Sequence, residues 1–585
     1  MQASLKKKLF VGFIVLLALS RFLFPEADPA WWKSTDDIHD EAWWAENVRR
    51  MILGEPWPGD VFARAWAVGP LTAVWHLISF KLFGINYFSL RLLAIIPSTL
   101  SILLILFKKI PGFDDSKRYQ AAIILAVLPA FWSLSRIGHI EAMLSFLLLL
   151  IVFLSYSNKR NIWLIIGILM LIGMLFKFSF VYNVIALFAW FLFRGIHLKK
   201  ILLALSVCVL MGCLCYVIYF YHNRQVFQPF YSYFSASFYS IGQLLDPRGW
   251  VLRLAWLPEK DFVTNPLNVL LISTILLRIG QGRMPIRRTG IASLLFISIL
   301  FLLGSDFSDR RLIILLVLLP LVLFEDHYIE SSSTFRYCLA WFCGLPLFAT
   351  FSNLHLLNEG NSLNELLRIV PVFLLVYSSF FLILKFLFSK YLSNPSLKFL
   401  QFAIVFWIGK AIWLSAFVLE DMTGISFVLI ALILCCIIAI ECCNSWFKAI
   451  SFTRNLASIF LVLLGMFLIF SVSYNPSYTL RDSAHLIKQR CGQGNGIGPE
   501  SLVEVTLLSS FMPELNLDAN KISRVDSSQY AWFAGLTTPL ADCDSIQKLY
   551  EQSAWLISSN QTQALQVIPV LPSPIGFREF LMLSK

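Results

Sequence analysis

Ser34-Thr-Asp-Asp-Ile-His-Asp-Glu-Ala-Trp-Trp-Ala-Glu46 is the stretch from which the rest of the chain is best read. It gathers Asp36, Asp37, Asp40, Glu41 and Glu46 in a sequence only 14% charged. Before it lies an apolar run, 9–24, led by Lys6-Lys7-Lys8; after it, apolar runs follow one another to about residue 473. The composition is 58% hydrophobic and the mean hydropathy is +0.72. Long uninterrupted apolar runs are the mark of membrane-spanning helices. Only helices and closed barrels satisfy their own backbone in lipid, and the alternating short segments of a barrel are missing. The expected fold is therefore a polytopic α-helical membrane protein. The net charge of +12 belongs to cytoplasmic Lys/Arg loops rather than to a nucleic-acid surface.

The run 9–24 is long for a signal-peptide core and no small-residue cleavage site follows, so it reads as an uncleaved first helix with a cytoplasmic N-terminus. Residues 25–87 then form a first exported loop. Within it, Pro70 to Gly84 reads as an amphipathic juxtamembrane helix. Spanning there would push the basic loop from Lys108-Lys109 to Lys117-Arg118 outside, against the charge rule. Further spans are expected at 88–107, 119–134, 141–156, 161–176, 178–193, 200–221, 265–278, 288–304, 311–325, 336–351, 369–388, 398–418, 424–441 and 454–473, about 13–15 in all. In this register Lys159-Arg160 and the basic loops 194–200 and 278–288 fall in the cytoplasm. Ser135 to Glu141 and a second long loop, 222–264, rich in Tyr and Phe, fall outside. Residues 1–473 form the transmembrane domain. Residues 474–585 turn polar and read as a small exported α/β domain, where an oxidising compartment permits a Cys491–Cys543 disulfide. No repeat, Walker-type phosphate loop or GxGxxG occurs.

Carboxylates beside a membrane face suit proton acceptance from an attacking hydroxyl. Cations at exported helix ends suit an anionic leaving group. Arg136, Lys177, Arg310 and Arg311 are such cations. Each also has a plainer reading, since a helix-end Lys or Arg commonly snorkels to the headgroups and a loop carboxylate is commonly just solvated. His139 reads as a helix-start residue or a metal ligand, and Trp31-Trp32 and Trp43-Trp44 as interfacial aromatics or sugar-stacking rings.

Seven short stretches carry a resemblance. Asp40-Glu41-x-x-aromatic-Ala is followed by Asn47-Val-Arg-Arg-Met-Ile-Leu-Gly-Glu-Pro-Trp57, Gly69-Pro70-Leu71 and Leu82-Phe-Gly-Ile-Asn-Tyr-Phe-Ser-Leu-Arg91. Then come Ser135-Arg-Ile-Gly-His-Ile-Glu-Ala142, the Gly-containing stretch Gly167 to Lys177, and Arg310-Arg311-Leu with Pro320. Together they resemble the GT-C glycosyltransferases, in the branch holding protein O-mannosyltransferases and the aminoarabinose transferases of lipid A. The resemblance implies inverting transfer from a polyprenyl-phosphate sugar to an envelope lipid, glycan or protein, in the bacterial inner membrane. It implies Asp40 as base or acceptor-orienting residue and Glu41 as its support. Arg136 and Lys177 would hold the phosphate, with Arg310 and Arg311 as further substrate-binding cations. Glu141 would position the acceptor or a divalent metal ion, for which His139 is a second candidate ligand. One departure stands out: aminoarabinose transferases carry an acidic residue and a Lys before the proline of the first loop, where this chain has Val68 and Gly69. The competing class is a lipid or solute transporter, which places ionisable groups at the bilayer midplane and shows repeats.

Overall fold

The computed structural model describes residues 2–25, 44–45, 48–49, 51–52, 54, 69–109, 113–157, 159–222, 290–303, 314–324, 496–497, 517–518 and 532–533. Asp40, Glu41, Arg310, Arg311, Cys491, Cys543, the loop 222–264, the span 265–278 and all spans from 336 onward lie outside them.

The described part is a helical bundle. It opens with α1 (Gln2–Leu19), which continues into a 3-10 turn, Ser20–Phe22. Next come α2 (Pro70–Phe83), α3 (Tyr87–Phe107), α4 (Asp115–Val127), α5 (Pro129–Leu134) and α6 (Ile140–Leu154). Then α7 (Arg160–Phe176), α8 (Val181–Phe193) and α9 (Leu198–His222) follow. A second set comprises α10 (Ile291–Leu303), a 3-10 turn Ile314–Leu318 and α11 (Leu319–Phe324). Far along the chain, β1 (Gly496–Ile497), β2 (Leu517–Asp518) and β3 (Trp532–Phe533) form a parallel sheet in the order β2-β1-β3.

The expected spans from 88 to 221 are helical, with two breaks. The span 119–134 divides at Leu128 because Pro129 has no N–H to continue the ladder and disfavours a helical residue before it. The span 178–193 begins as a 3-10 turn, Phe178–Phe180. Local sequence explains the α2–α3 corner. Gly84 ends α2 at φ +81°, and Asn86 caps α3 by accepting from the Ser89 N–H at 2.9 Å.

Helices pack in a core of Leu, Ile, Ala, Phe and Trp that includes Trp132, Trp163 and Trp190. Tyr87–Phe107 and Leu198–Ile218 are each long and apolar enough to cross a membrane. On α9 the outward residues Leu202, Val209, Leu210, Leu214, Val217 and Ile218 are all exposed, a stripe suited to lipid rather than water.

The two ends of the bundle differ. One carries Lys7, which donates to Asp115 at 2.7 Å, and Arg194, which donates to the Ser155 hydroxyl at 2.6 Å and lies over the Tyr156 and Trp190 rings. Arg118, buried, pairs with Asp115 at that end, and the opposite end holds Arg21, Arg136, His139 and Glu141, also buried.

Candidate active site

Two helix termini meet at that second end. Glu141 lies in the first turn of α6, where the partial positive charge of the helix favours a carboxylate. Lys177 is the residue after α7, at the negative end of its helix. The Lys177 Nζ donates to Glu141 Oε1 at 2.5 Å. The carboxylate is 1% exposed and the lysine side chain 16%. His139, the residue before α6, places Nδ1 3.4 Å from the other carboxylate oxygen, long for a hydrogen bond.

Trp44 closes the group from a third direction. It belongs to the short helical stretch Trp44, Ala45, Val48, Arg49, all buried, whose spacing puts them on one helix face. Its ring lies 4.9 Å from the Lys177 Nζ and edge-on to His139 with centroids 4.8 Å apart. Trp44, His139, Glu141 and Lys177 thus form a cage of one anion, one cation and two aromatic rings. Trp44 is four residues downstream of Asp40 in the sequence.

The start of α2 is wedged beside the cage. The Gly69 N–H donates to the Phe176 carbonyl at 2.9 Å, and the Thr72 hydroxyl donates to the same oxygen at 2.8 Å. Deeper in α2, His76 is fully buried, stacked on Phe80, and neither ring nitrogen makes a hydrogen bond. Burial pushes the imidazole down to about 4, only partly countered by the nearby Trp44 backbone. His76 is therefore neutral at pH 7.

Arg136, expected at the phosphate, points its Nη1 and Nη2 at the Leu23 and Phe24 carbonyls, at 2.7 and 2.6 Å. Among the described residues no three His, Cys, Asp or Glu side chains gather as a metal site. His139 and Glu141 offer two donors, and the Lys177 ammonium already holds one carboxylate oxygen, so as they stand they fit an ion-pair network better than a divalent centre.

Residues 68–221 match the family described as dolichyl-phosphate-mannose-protein mannosyltransferase. The matched segment takes in the first turn of α6 and the end of α7, and so Glu141 and Lys177. Two solved structures are similar to it, both of ArnT from Cupriavidus metallidurans. One, bound to undecaprenyl phosphate, is 14% identical with a TM-score of 0.48, covering 93% of this chain and 88% of that one. The other, in the apo state, is 14% identical with a TM-score of 0.47, covering 94% and 89%. No curated protein matches the chain.

The structure brings Glu141, Lys177 and His139 together and sets Arg136 at the exit of α1. Trp44 was visible in the sequence only as an interfacial aromatic or a stacking ring. His76 stood out there only as a polar residue in an apolar stretch. The signal for its inward position was its spacing from Thr72, Ser79 and Phe80, which are also buried.

Gly69 is glycine for a steric reason. A Cβ on Gly69 would lie 1.9 Å from the Leu175 carbonyl oxygen. This chain accepts no side chain where the aminoarabinose transferases carry Lys.

Proposed function

We propose that this chain is an inverting glycosyltransferase moving a sugar from a polyprenyl-phosphate donor to an envelope acceptor, lipid A, another glycolipid or a glycan, on the exported side of the bacterial inner membrane. The observation that carries the reading is the cage. Trp44, His139, Glu141 and Lys177 come from separate stretches and converge at one end of the bundle, three of them within the segment that matches the family.

In this scheme Asp40 accepts the proton of the acceptor hydroxyl while its oxygen attacks the anomeric carbon. The new C–O bond forms on the face opposite the departing phosphate oxygen, and the polyprenyl phosphate leaves with the bonding pair. Glu41 supports Asp40. Lys177 stabilises the leaving phosphate. An ammonium has three donors, so Lys177 keeps Glu141 with one and offers another to the phosphate. Glu141 holds the lysine from below, and the buried Trp44 ring packs against the same ammonium and fixes its direction. Arg310 and Arg311 are further phosphate partners in this scheme. No step runs through a metal ion.

The family's own description names a protein mannosyltransferase, which favours a protein Ser or Thr as the second acceptor class. A transporter fits less well, because Glu141 and Lys177 pair where α6 begins and α7 ends rather than in the middle of those helices. The test is Asp40→Asn in a deletion strain, with mass spectrometry of envelope glycolipids and glycoproteins. Loss of one modified species at normal expression supports the assignment. Full modification by the variant removes Asp40 as the base.

A further inference from the structure

Helix α7 ends on a carbonyl whose partners come from α2. The last carbonyls of a helix have no helical donors. Phe176, the final residue of α7, is buried and carries one of them. Its oxygen accepts the Gly69 N–H at 2.9 Å and the Thr72 hydroxyl at 2.8 Å, so the first turn of α2 fills both of its lone pairs. Thr72 is fully buried, and Gly69, which precedes the helix, has no side chain to cap it. A hydroxyl in that position commonly bonds its own first turn. This one bonds across to α7 instead.

The Phe176 carbonyl and the Lys177 N–H share one planar peptide unit. The other end of that unit is also held, because the Lys177 N–H donates to the Gly173 carbonyl at 3.0 Å. The carbonyl of Lys177 itself accepts the Phe180 N–H at 2.9 Å. Lys177 therefore leaves α7 extended, at φ −151° and ψ 121°, with the main chain pinned on both sides of its Cα. The ammonium stands at the end of a flexible four-carbon stem, 2.5 Å from Glu141 and 4.9 Å from the Trp44 ring. A tilt of the peptide unit is magnified along that stem.

We propose that Thr72 is a positioning residue: its hydroxyl, with the Gly69 N–H, fixes the peptide unit from which Lys177 springs and so aims the ammonium within the cage. This deepens the function proposed above, and rests on it for the use of that ammonium at the leaving phosphate. Thr72→Val keeps the branched shape and removes the donor, which leaves a buried carbonyl half satisfied. Thr72→Ser keeps the donor.

The experiment compares Thr72→Val, Thr72→Ser, Lys177→Met and the double variant Thr72→Val with Lys177→Met in the full-length protein in detergent. Trace acylation of Lys177 is followed by mass spectrometry, with the exposed Lys199 as internal reference, and binding of undecaprenyl phosphate is measured directly. In Thr72→Val, Lys177 should acylate about fivefold faster relative to Lys199, and undecaprenyl phosphate should bind about fivefold more weakly, the worth of one net hydrogen bond. Thr72→Ser should stay within about twofold of the wild type in both, and Thr72→Val should add less than about twofold once Lys177 is Met. Unchanged Lys177 acylation in Thr72→Val overturns the proposal. So does a Thr72→Val loss of binding that persists undiminished beside Lys177→Met, because the residue then acts through something other than the lysine. Failure of Thr72→Ser to restore the wild-type values overturns it too. If Thr72→Val does not accumulate, Thr72→Ala decides by the same readouts. Should Lys177→Met bind undecaprenyl phosphate as the wild type does, the phosphate role of Lys177 falls, yet the acylation rate still decides whether Thr72 aims the lysine.

Discussion

Gly69→Ala is the sharpest single perturbation of the site's scaffold. The added methyl carbon would lie 1.9 Å from the Leu175 carbonyl oxygen, 2.4 Å from its carbon and 3.0 Å from its Cα. All three are backbone atoms at the end of α7, so no side-chain rotation relieves the clash. The start of α2 has to retreat by about 1 Å to restore ordinary contact, an overpacking cost of about 1–3 kcal/mol. That retreat also stretches the Gly69 N–H bond to Phe176 from its 2.9 Å and the Thr72 hydroxyl bond from its 2.8 Å, each worth about 1 kcal/mol. The expected total is about 3–5 kcal/mol if both bonds are lost, read as a lowered melting temperature. Because Phe176 immediately precedes Lys177, the cage moves with it, and modification in a complemented deletion strain should fall by about 100-fold. Thermal melting of the detergent-purified protein and glycan mass spectrometry supply the two readouts. A Gly69→Ala protein with native melting temperature and full modification would show that α2 does not seat on α7 as described.

Gly167→Ala should likewise loosen the bundle, since its Cβ would come 2.4 Å from the Ala204 carbonyl oxygen; α7 and α9 must then separate, lowering the melting temperature with little change in donor affinity. Glu141→Gln strands the Lys177 ammonium and should cost about 3 kcal/mol, while Glu141→Gln with Lys177→Met should melt higher than Glu141→Gln alone. His76 gives a pH test. Its folded value of about 4 lies below the unfolded value near 6.5, so the unfolded chain binds more protons between those limits. Stability should fall as pH drops from about 6.5 to 4, by about 3 kcal/mol in total, and His76→Gln should flatten that part of the melting-temperature profile. Asp115 behaves differently: its partners Lys7 and Arg118 hold it down to about 2, but it is solvent-exposed. Lys7→Ala should leave the melting temperature unchanged within about 1 °C at pH 7.

Much of the fold was legible because hydropathy and charge act over long stretches. The apolar runs bounded the helices from α3 to α9, and the basic pairs marked one end of the bundle. The breaks were harder to read. Pro129 divides α4 from α5 by a local backbone rule that a hydropathy window averages away. At the site, Glu141 and Lys177 were legible as helix-end charges, but their direct pairing depends on α6 and α7 packing with those ends together. Arg136 shows the limit most clearly. Its residue type and place suited a phosphate equally well, and only the path of the chain at Leu23 and Phe24 reveals its backbone partners. Trp44 joins the cage over almost a hundred residues of sequence, a distance at which no periodicity speaks.

Helix α2 wears its surfaces inside out. Thr72, His76 and Ser79 are buried, while Val74, Ile78, Leu82 and Phe83 lie exposed. A water-soluble protein would reverse that arrangement. Whatever surrounds this protein must therefore cover an oily stripe on the helix that begins beside the cage, and any surfactant used to extract it takes over that task. Short-chain or harsh micelles that fail to cover the stripe should inactivate the protein well before they unfold it.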